Sequence, residues 1–259
     1  MTGAFTDHVV VLARRSVVRT VRQPANVVFP LVFPLLLLAV NAGGLDSATR
    51  LPGFPTDSFV AFALAIPFIQ GALFATMNAG TDLARDIQSG FLNRLALTPL
   101  RGIALLAGQL GGIVTMGVIQ ALVYLGVGLA VGVRPESGPA GMLVLLIFAV
   151  LISIGFGAVG AFAALRTGSG EAVQSIFPAF FVFLFLSSMN LPRNLIDIDW
   201  FRITATINPV SYLIECVRSL IITGWDGEAL ALGFGIAAAI TVVALALASV
   251  SLRTRLARS

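Results

Sequence analysis

The stretch Thr81-Asp-Leu-Ala-Arg-Asp-Ile-Gln-Ser-Gly-Phe-Leu-Asn-Arg-Leu-Ala-Leu-Thr-Pro-Leu-Arg-Gly102 carries charge between two long apolar runs, and its reading decides the fold. Leu83, Ile87, Phe91 and Leu95 recur every fourth residue and share one helical face. Asp82, Arg85, Asp86 and Arg94 give the remainder a polar surface. The spacing predicts a short amphipathic helix lying at a membrane surface, with a bend at Gly90. Thr98-Pro99 ends it, because proline biases the residue before it away from helical backbone.

Working outward, the composition demands a membrane. Of 259 residues, 58% are hydrophobic and 11% charged, too little polar surface for a water-soluble globule. Six apolar segments approach or exceed the roughly 20 residues that cross a bilayer: 25–41, 57–80, 103–133, 140–165, 172–190 and 228–252. The expected fold is therefore an all-α polytopic membrane protein with six transmembrane helices. The third segment is longer than a span needs and is expected to be tilted.

All sixteen basic residues are arginine. With both termini inside, the cytoplasmic segments carry eleven arginines against four acids, and the outer segments five against eight. Basic residues beside spans stay inside, so both termini are expected in the cytoplasm of a cell membrane. The high isoelectric point then requires no nucleic-acid partner. The first 23 residues carry four arginines and lack a small-residue cleavage site, so no cleaved signal peptide is expected.

Residues 4–22 are expected to form an interfacial helix with Arg15, Arg19 and Arg22 in one stripe and Val10, Ala13 and Val17 opposite. Its arginines would meet anionic head groups or a protein partner, or serve only as a basic flank that sets topology. Pro24, Pro30 and Pro34 punctuate the first span, where neighbouring side chains must take up the freed carbonyls. Gly155-Phe-Gly157-Ala-Val-Gly160 matches the dinucleotide fingerprint letter for letter. That fingerprint needs a strand-to-helix turn in a soluble unit; in mid-membrane these glycines, like Gly108-x-x-x-Gly112, read as helix packing.

Between the fifth and sixth spans, residues 191–227 are too long for a tight turn. Residues 207–223 are expected to form a short helix bearing Tyr212, Glu215 and Arg218, and Trp200, Tyr212 and Trp225 suit a membrane interface. The segment reads as a helix that dips into the outer leaflet and returns.

Catalytic chemistry is not visible. The only histidine is His8 and the only cysteine Cys216, too few for a usual zinc site or an intrachain disulfide. Without lysine there is no Walker A loop, so ATP-driven work needs another subunit. The spans are expected to lack buried ionisable residues and hence a proton relay. A pathway walled by Phe, Leu and Met, with Phe177, Phe180, Phe181, Phe183 and Phe185 among 19 phenylalanines, suits a hydrophobic or amphipathic cargo.

The coupling stretch resembles the cytoplasmic coupling helix of type-2 ABC transporter permeases, at Asp82, Arg85, Asp86, Gly90, Leu95, Thr98, Pro99 and Arg101. Asn208-Pro209-Val-Ser-Tyr212 is similar to the external re-entrant helices of the same family, and the whole chain looks closest to its daunorubicin-resistance-like members. The resemblance implies one transmembrane unit over 1–259: a connecting helix at 1–23, spans one and two at 24–80, a coupling helix at 81–102, spans three to five at 103–190, an external re-entrant segment at 191–227, and the last span and tail at 228–259. It further implies an ABC ATPase subunit that binds ATP and Mg, and a second permease, identical or homologous. The first, second and fifth spans would face each other across that permease pair. Asp82, Arg85, Asp86, Gly90, Phe91, Leu95, Thr98, Pro99 and Arg101 would couple to the ATPase, Arg15, Arg19 and Arg22 would help dock it, and Asn208, Pro209, Tyr212, Glu215 and Arg218 would belong to the external gate. The cargo, drug or lipid-like, would leave the cell, expected to be bacterial. An ATP-independent channel or carrier and a non-transport sensing or assembly subunit stay open as alternatives.

Overall fold

A computed structural model describes residues 2–96 and 102–256, with side chains described for residues 10–92, 94 and 106–255. Among the described residues the chain is built from α-helices, with short 3₁₀ and π segments and no strand. In chain order these are α1 (Thr2–Val21), α2 (Pro24–Leu45), α3 (Phe59–Ala63), α4 (Ala65–Gln88), α5 (Phe91–Ala96), α6 (Gly102–Ala130), α7 (Gly138–Thr167), α8 (Gly170–Phe185), α9 (Asp199–Ile207), α10 (Pro209–Arg218) and α11 (Gly227–Leu256).

Five stretches among these residues are long and apolar enough to cross a membrane: Pro24–Arg50, Phe59–Gln88, Leu106–Ala130, Gly138–Thr167 and Gly227–Arg255. A sixth arises if α9 and the helix Pro209–Thr223, bent by 79° to each other, count as one span. The protein is an all-α, multi-pass membrane protein. The expected fifth span, 172–190, is shorter than read: α8 holds 16 residues, about 24 Å at 1.5 Å per residue. Ser187 and Ser188 turn the chain instead, the Ser187 hydroxyl donating to Leu184 O at 2.5 Å.

Helix α4 is the hub, buried along nearly its whole apolar length and packed against α7, α8, α6 and α2. Close approach is possible because the glycines of the fingerprint-like run each admit a different neighbour. A Cβ on Gly155 would lie 2.6 Å from Thr241 Oγ1 of α11, one on Gly157 2.7 Å from Ile113 Cδ1 of α6, and one on Gly160 1.9 Å from Thr76 O of α4. The run is the socket of a three-way helix contact, in keeping with the packing role of small residues in membranes.

Prolines in α2 are accommodated by donors from neighbouring helices. Pro30 removes the N–H that would bond Asn26 O, and Asn78 Nδ2 of α4 donates to that carbonyl at 3.2 Å. Pro34 likewise frees Pro30 O, and the buried Tyr124 hydroxyl of α6 donates to it at 2.5 Å.

Candidate functional site

Charged residues and the candidate site residues of the sequence gather at two ends of the bundle. At the arginine-rich end, α4 does not stop where the charges begin. It continues through Thr81 to Gln88, so Asp82, Arg85 and Asp86 lie in the last two turns of the second long helix and not in a separate surface helix. The break comes at Ser89-Gly90. Gly90 has φ +68°, the left-handed residue that commonly ends a helix, and no atom lies within 4 Å of where its Cβ would be. Backbone conformation, not space, calls for glycine here. Helix α5 follows at once, with Phe91 partly buried and Arg94 exposed.

Leu83, Ile87 and Phe91 do share one environment, on two helices. They join a core with Leu92, Leu106, Ala164, Leu165, Val173 and Leu252. These three residues of the stripe therefore pack inside the protein, where a helix lying at the membrane surface was expected. The side chain of Leu95 lies outside the described side chains, and Thr98, Pro99 and Arg101 lie outside the described residues.

The acidic end of α4 is joined to α1. Arg15 makes a two-pronged contact with Asp86, Nη2 donating to Oδ1 at 2.9 Å and Nη1 to Oδ2 at 3.1 Å. Arg19 Nη1 donates to the same Oδ1 at 3.0 Å, and its Nη2 stands 3.1 Å from Asp82 Oδ1. The Asp86 side chain is only 8% exposed, and Arg15 also covers the Phe91 ring at 4.1 Å. Hydrogen bonding to Asp86 raises the pKa of Arg15 above the usual guanidinium value. Two of the three stripe arginines thus find their anions within the chain, while Arg22 is exposed just past the end of α1.

The buried face of α1 also differs from expectation. Leu12, Ala13 and Ser16 lie against Gly108, Gly111 and Gly112 of α6, so closely that a Cβ on Gly108 would stand 2.4 Å from Leu12 Cβ. Val10, Val11, Val18 and Val21 are the exposed apolar side chains. The glycine pair spaced by four thus receives the N-terminal helix. At the same end, Arg255 Nη1 donates to Leu165 O at 2.8 Å and Gln88 Nε2 to Gly168 O at 3.2 Å. The two ends of the described chain therefore meet the same face of the bundle.

At the opposite end the re-entrant residues converge. Asn208 hinges α9 to α10: its Oδ1 accepts from Val210 N at 2.9 Å, capping α10, while Nδ2 donates to Phe183 O at 2.6 Å, tying the hinge to α8. Pro209 opens α10, where its missing N–H has no helical partner to lose. The Tyr212 hydroxyl donates to Thr206 O at 2.8 Å. Glu215 accepts from the Ser188 hydroxyl at 3.1 Å and from Arg193. Trp200 and Trp225 are exposed.

Arg218 is buried, 7% exposed, and its guanidinium lies 3.5 Å over the Phe62 ring. With Asp86, 5% exposed at the end of α4, it is one of two buried charged residues among the described residues. Sequence reasoning missed Arg193, Ser188 and Phe62 as partners here. Their pairings cross from 22 to 156 residues of chain, and no local sequence signal marks them.

Comparison with known proteins places this architecture. A family model described as ABC-2 type transporter matches residues 7–222. The chain is 27% identical over 201 residues to the daunorubicin resistance ABC transporter permease protein DrrB1 of Streptomyces coeruleorubidus, covering 75% of this chain and 66% of that protein. It is 24% identical over 218 residues to the putative transport permease ycf38 of Cyanophora paradoxa, covering 83% of this chain and 74% of the relative. The ycf38 protein of Porphyra purpurea is 26% identical over 219 residues, with the same coverage. The match to a family model over most of its length shows that this chain belongs to the ABC-2 type transporter family.

Proposed function

We propose that this permease works as the transmembrane subunit of an ATP-driven exporter, with both termini in the cytoplasm and ATP and Mg bound by a separate ATPase subunit. One chain forms one transmembrane unit, and two such permeases, identical or homologous, enclose the pathway. The cargo is hydrophobic or amphipathic, drug or lipid-like, and leaves the cell. The name of the Streptomyces relative supports a drug-like cargo, and the phenylalanines of α8 and α2 supply apolar wall.

The observation that carries this reading is the Arg15 and Arg19 latch on Asp86, beside the Gly90 break. It joins the N-terminal helix, the end of the second long helix and α5 into one charged, packed body at the arginine-rich end. A push on α5 by an ATPase would be delivered to α4, the hub against which α7, α8 and α2 pack. In this reading Asp86 transmits force inside the permease. Arg22, Arg94 and Arg85, which are exposed, and the segment through Leu95, Thr98, Pro99 and Arg101 meet the partner.

The test is affinity purification of the tagged chain from its native membrane in mild detergent. Co-purification of an ATPase with Walker motifs is expected, with ATP hydrolysis that falls when Asp86 and Arg15 are both replaced by alanine. A homo-oligomer without an ATPase would overturn the reading in favour of a channel or carrier.

A further inference from the structure

The end opposite the arginine-rich face holds a cavity of about 390 Å³, lined by residues that include Phe62, Arg193, Glu215, Arg218 and Asp226. Its chemistry is set by Arg218. The guanidinium is fixed on all sides the protein reaches: Nε donates to Phe62 O at 3.2 Å, Nη1 to Ser188 O at 3.1 Å and Nη2 to Met189 O at 3.0 Å. One face rests on the Phe62 ring. These bonds use three of five N–H groups and leave one on each terminal nitrogen.

No carboxylate among the described residues stands within 4 Å of this guanidinium. Glu215, one turn earlier on α10, gives its oxygens to Arg193 and Ser188. Asp226 Oδ1 accepts from Glu228 N and Ala229 N at the start of α11. Carbonyl dipoles hold the cation in place without cancelling its charge, and Glu215, shared with Arg193, acts on Arg218 only across a distance. A buried cation without a directly paired counter-ion is costly. Arg193, on the same wall, adds a second guanidinium, 28% exposed, over the Tyr212 ring.

We propose that this cavity is a binding site for a phosphate-bearing group, held by the two spare N–H groups of Arg218 and flanked by Arg193. Planar guanidinium pairs with oxyanions in a fork, which a single ammonium does not reproduce. Glu215 and Asp226 line the same cavity, and the lone pairs they keep beyond their bonds within the chain can accept from hydroxyl or amino groups attached to the phosphate. The ligand is a small phosphomonoester from the external solution or the phosphodiester head group of an outer-leaflet lipid. The site stands on this cavity, and only the side of the membrane it faces rests on the topology proposed above.

The probe is radiolabelled glycerol phosphate, titrated against the full chain in a phosphate-free maltoside detergent. In a second arm, dioctanoyl phosphatidylglycerol is titrated and its retention read by native mass spectrometry. Two variants are compared: Arg218→Gln, which removes the cation, and Ala229→Phe, which fills the cavity and leaves the Arg218 bonds intact should the first fail to fold. Saturable binding of either probe, weakened at least tenfold in Ala229→Phe and in folded Arg218→Gln, is expected. Binding of the soluble probe identifies a solute site; binding of the lipid alone identifies a head-group site. Absence of saturable binding in both arms overturns the proposal, as does binding weakened less than tenfold by filling the cavity.

Discussion

The hydroxyl of Tyr124 donates to the carbonyl of Pro30, the one that Pro34 leaves without a helical partner. The tyrosine is fully buried, and its ring lies edge-on to Phe68 at 5.7 Å. A carbonyl orphaned in hydrocarbon has no water to turn to, so this contact is a requirement created by the proline. Tyr124→Phe is expected to destabilise the protein by about 1–2 kcal/mol, the scale of interhelical hydrogen bonds in membranes. In a Pro34→Ala background the helix supplies its own N–H, and the same change should have less than half that effect. Thermal unfolding of the four proteins of this cycle in detergent measures the difference; an equal loss in both backgrounds would refute the pairing.

Gly160 on α7 presses against the backbone of Thr76 on α4, whose hydroxyl in turn donates to Phe156 O at 2.9 Å. No rotamer change relieves a Cβ that meets main chain. Gly160→Leu should therefore lower stability by at least about 3 kcal/mol, the upper range for overpacking. Gly235 on α11 is the control, since nothing lies within 4 Å of its Cβ position. Gly235→Ala should leave stability unchanged or raise it by up to about 1 kcal/mol through helix propensity. Fluorescence size-exclusion after graded heating separates the two outcomes.

Asp86 receives hydrogen bonds from two arginines and is nearly enclosed, whereas Arg15 is 43% exposed on its side chain. Loss of the shared anion should thus exceed loss of either cation. Asp86→Asn is expected to cost about 2 kcal/mol, within the range for charged hydrogen bonds, and Arg15→Ala about half as much. The Arg15→Ala and Asp86→Asn pair should be non-additive, because each removes the same contact. Hydrogen exchange over residues 10–21 reads the effect directly: protection in α1 should fall in Asp86→Asn and stay unchanged in Arg22→Ala, whose side chain is exposed.

Hydropathy made the fold class legible, because apolar runs near bilayer length admit few other structures. The hinge at Asn208-Pro209 was legible as well, since a cap residue followed by proline is a local helix-start signal, and both residues perform it. What escaped was decided by partners far along the chain. Asp82-Leu-Ala-Arg85-Asp86 read as leaving the second span because three charges in five residues are costly inside a membrane. The anions remain on α4 because Arg15 and Arg19, about 70 residues earlier, meet them. Likewise the apolar face of α1 follows the glycines of α6, not its own periodicity, so Leu12, which is not among Val10, Ala13 and Val17, is packed.

Gly90 separates the end of α4 from α5 with a left-handed backbone and open space around its Cβ position. A Cβ fits sterically beside its neighbours, and only the backbone conformation resists it. Gly90→Ala is expected to cost about 1–2 kcal/mol, the penalty for left-handed helical geometry in residues with a Cβ. Asparagine tolerates that region, so Gly90→Asn should recover most of the loss. If Gly90→Ala instead extended α4 smoothly into α5, stability would not fall, but the Arg15 contact with the Phe91 ring would be lost. A fluorinated phenylalanine at position 91, read by ¹⁹F spectroscopy, distinguishes a strained turn from a straightened helix: an unchanged resonance with lowered stability supports the turn, and a shifted resonance at unchanged stability refutes it.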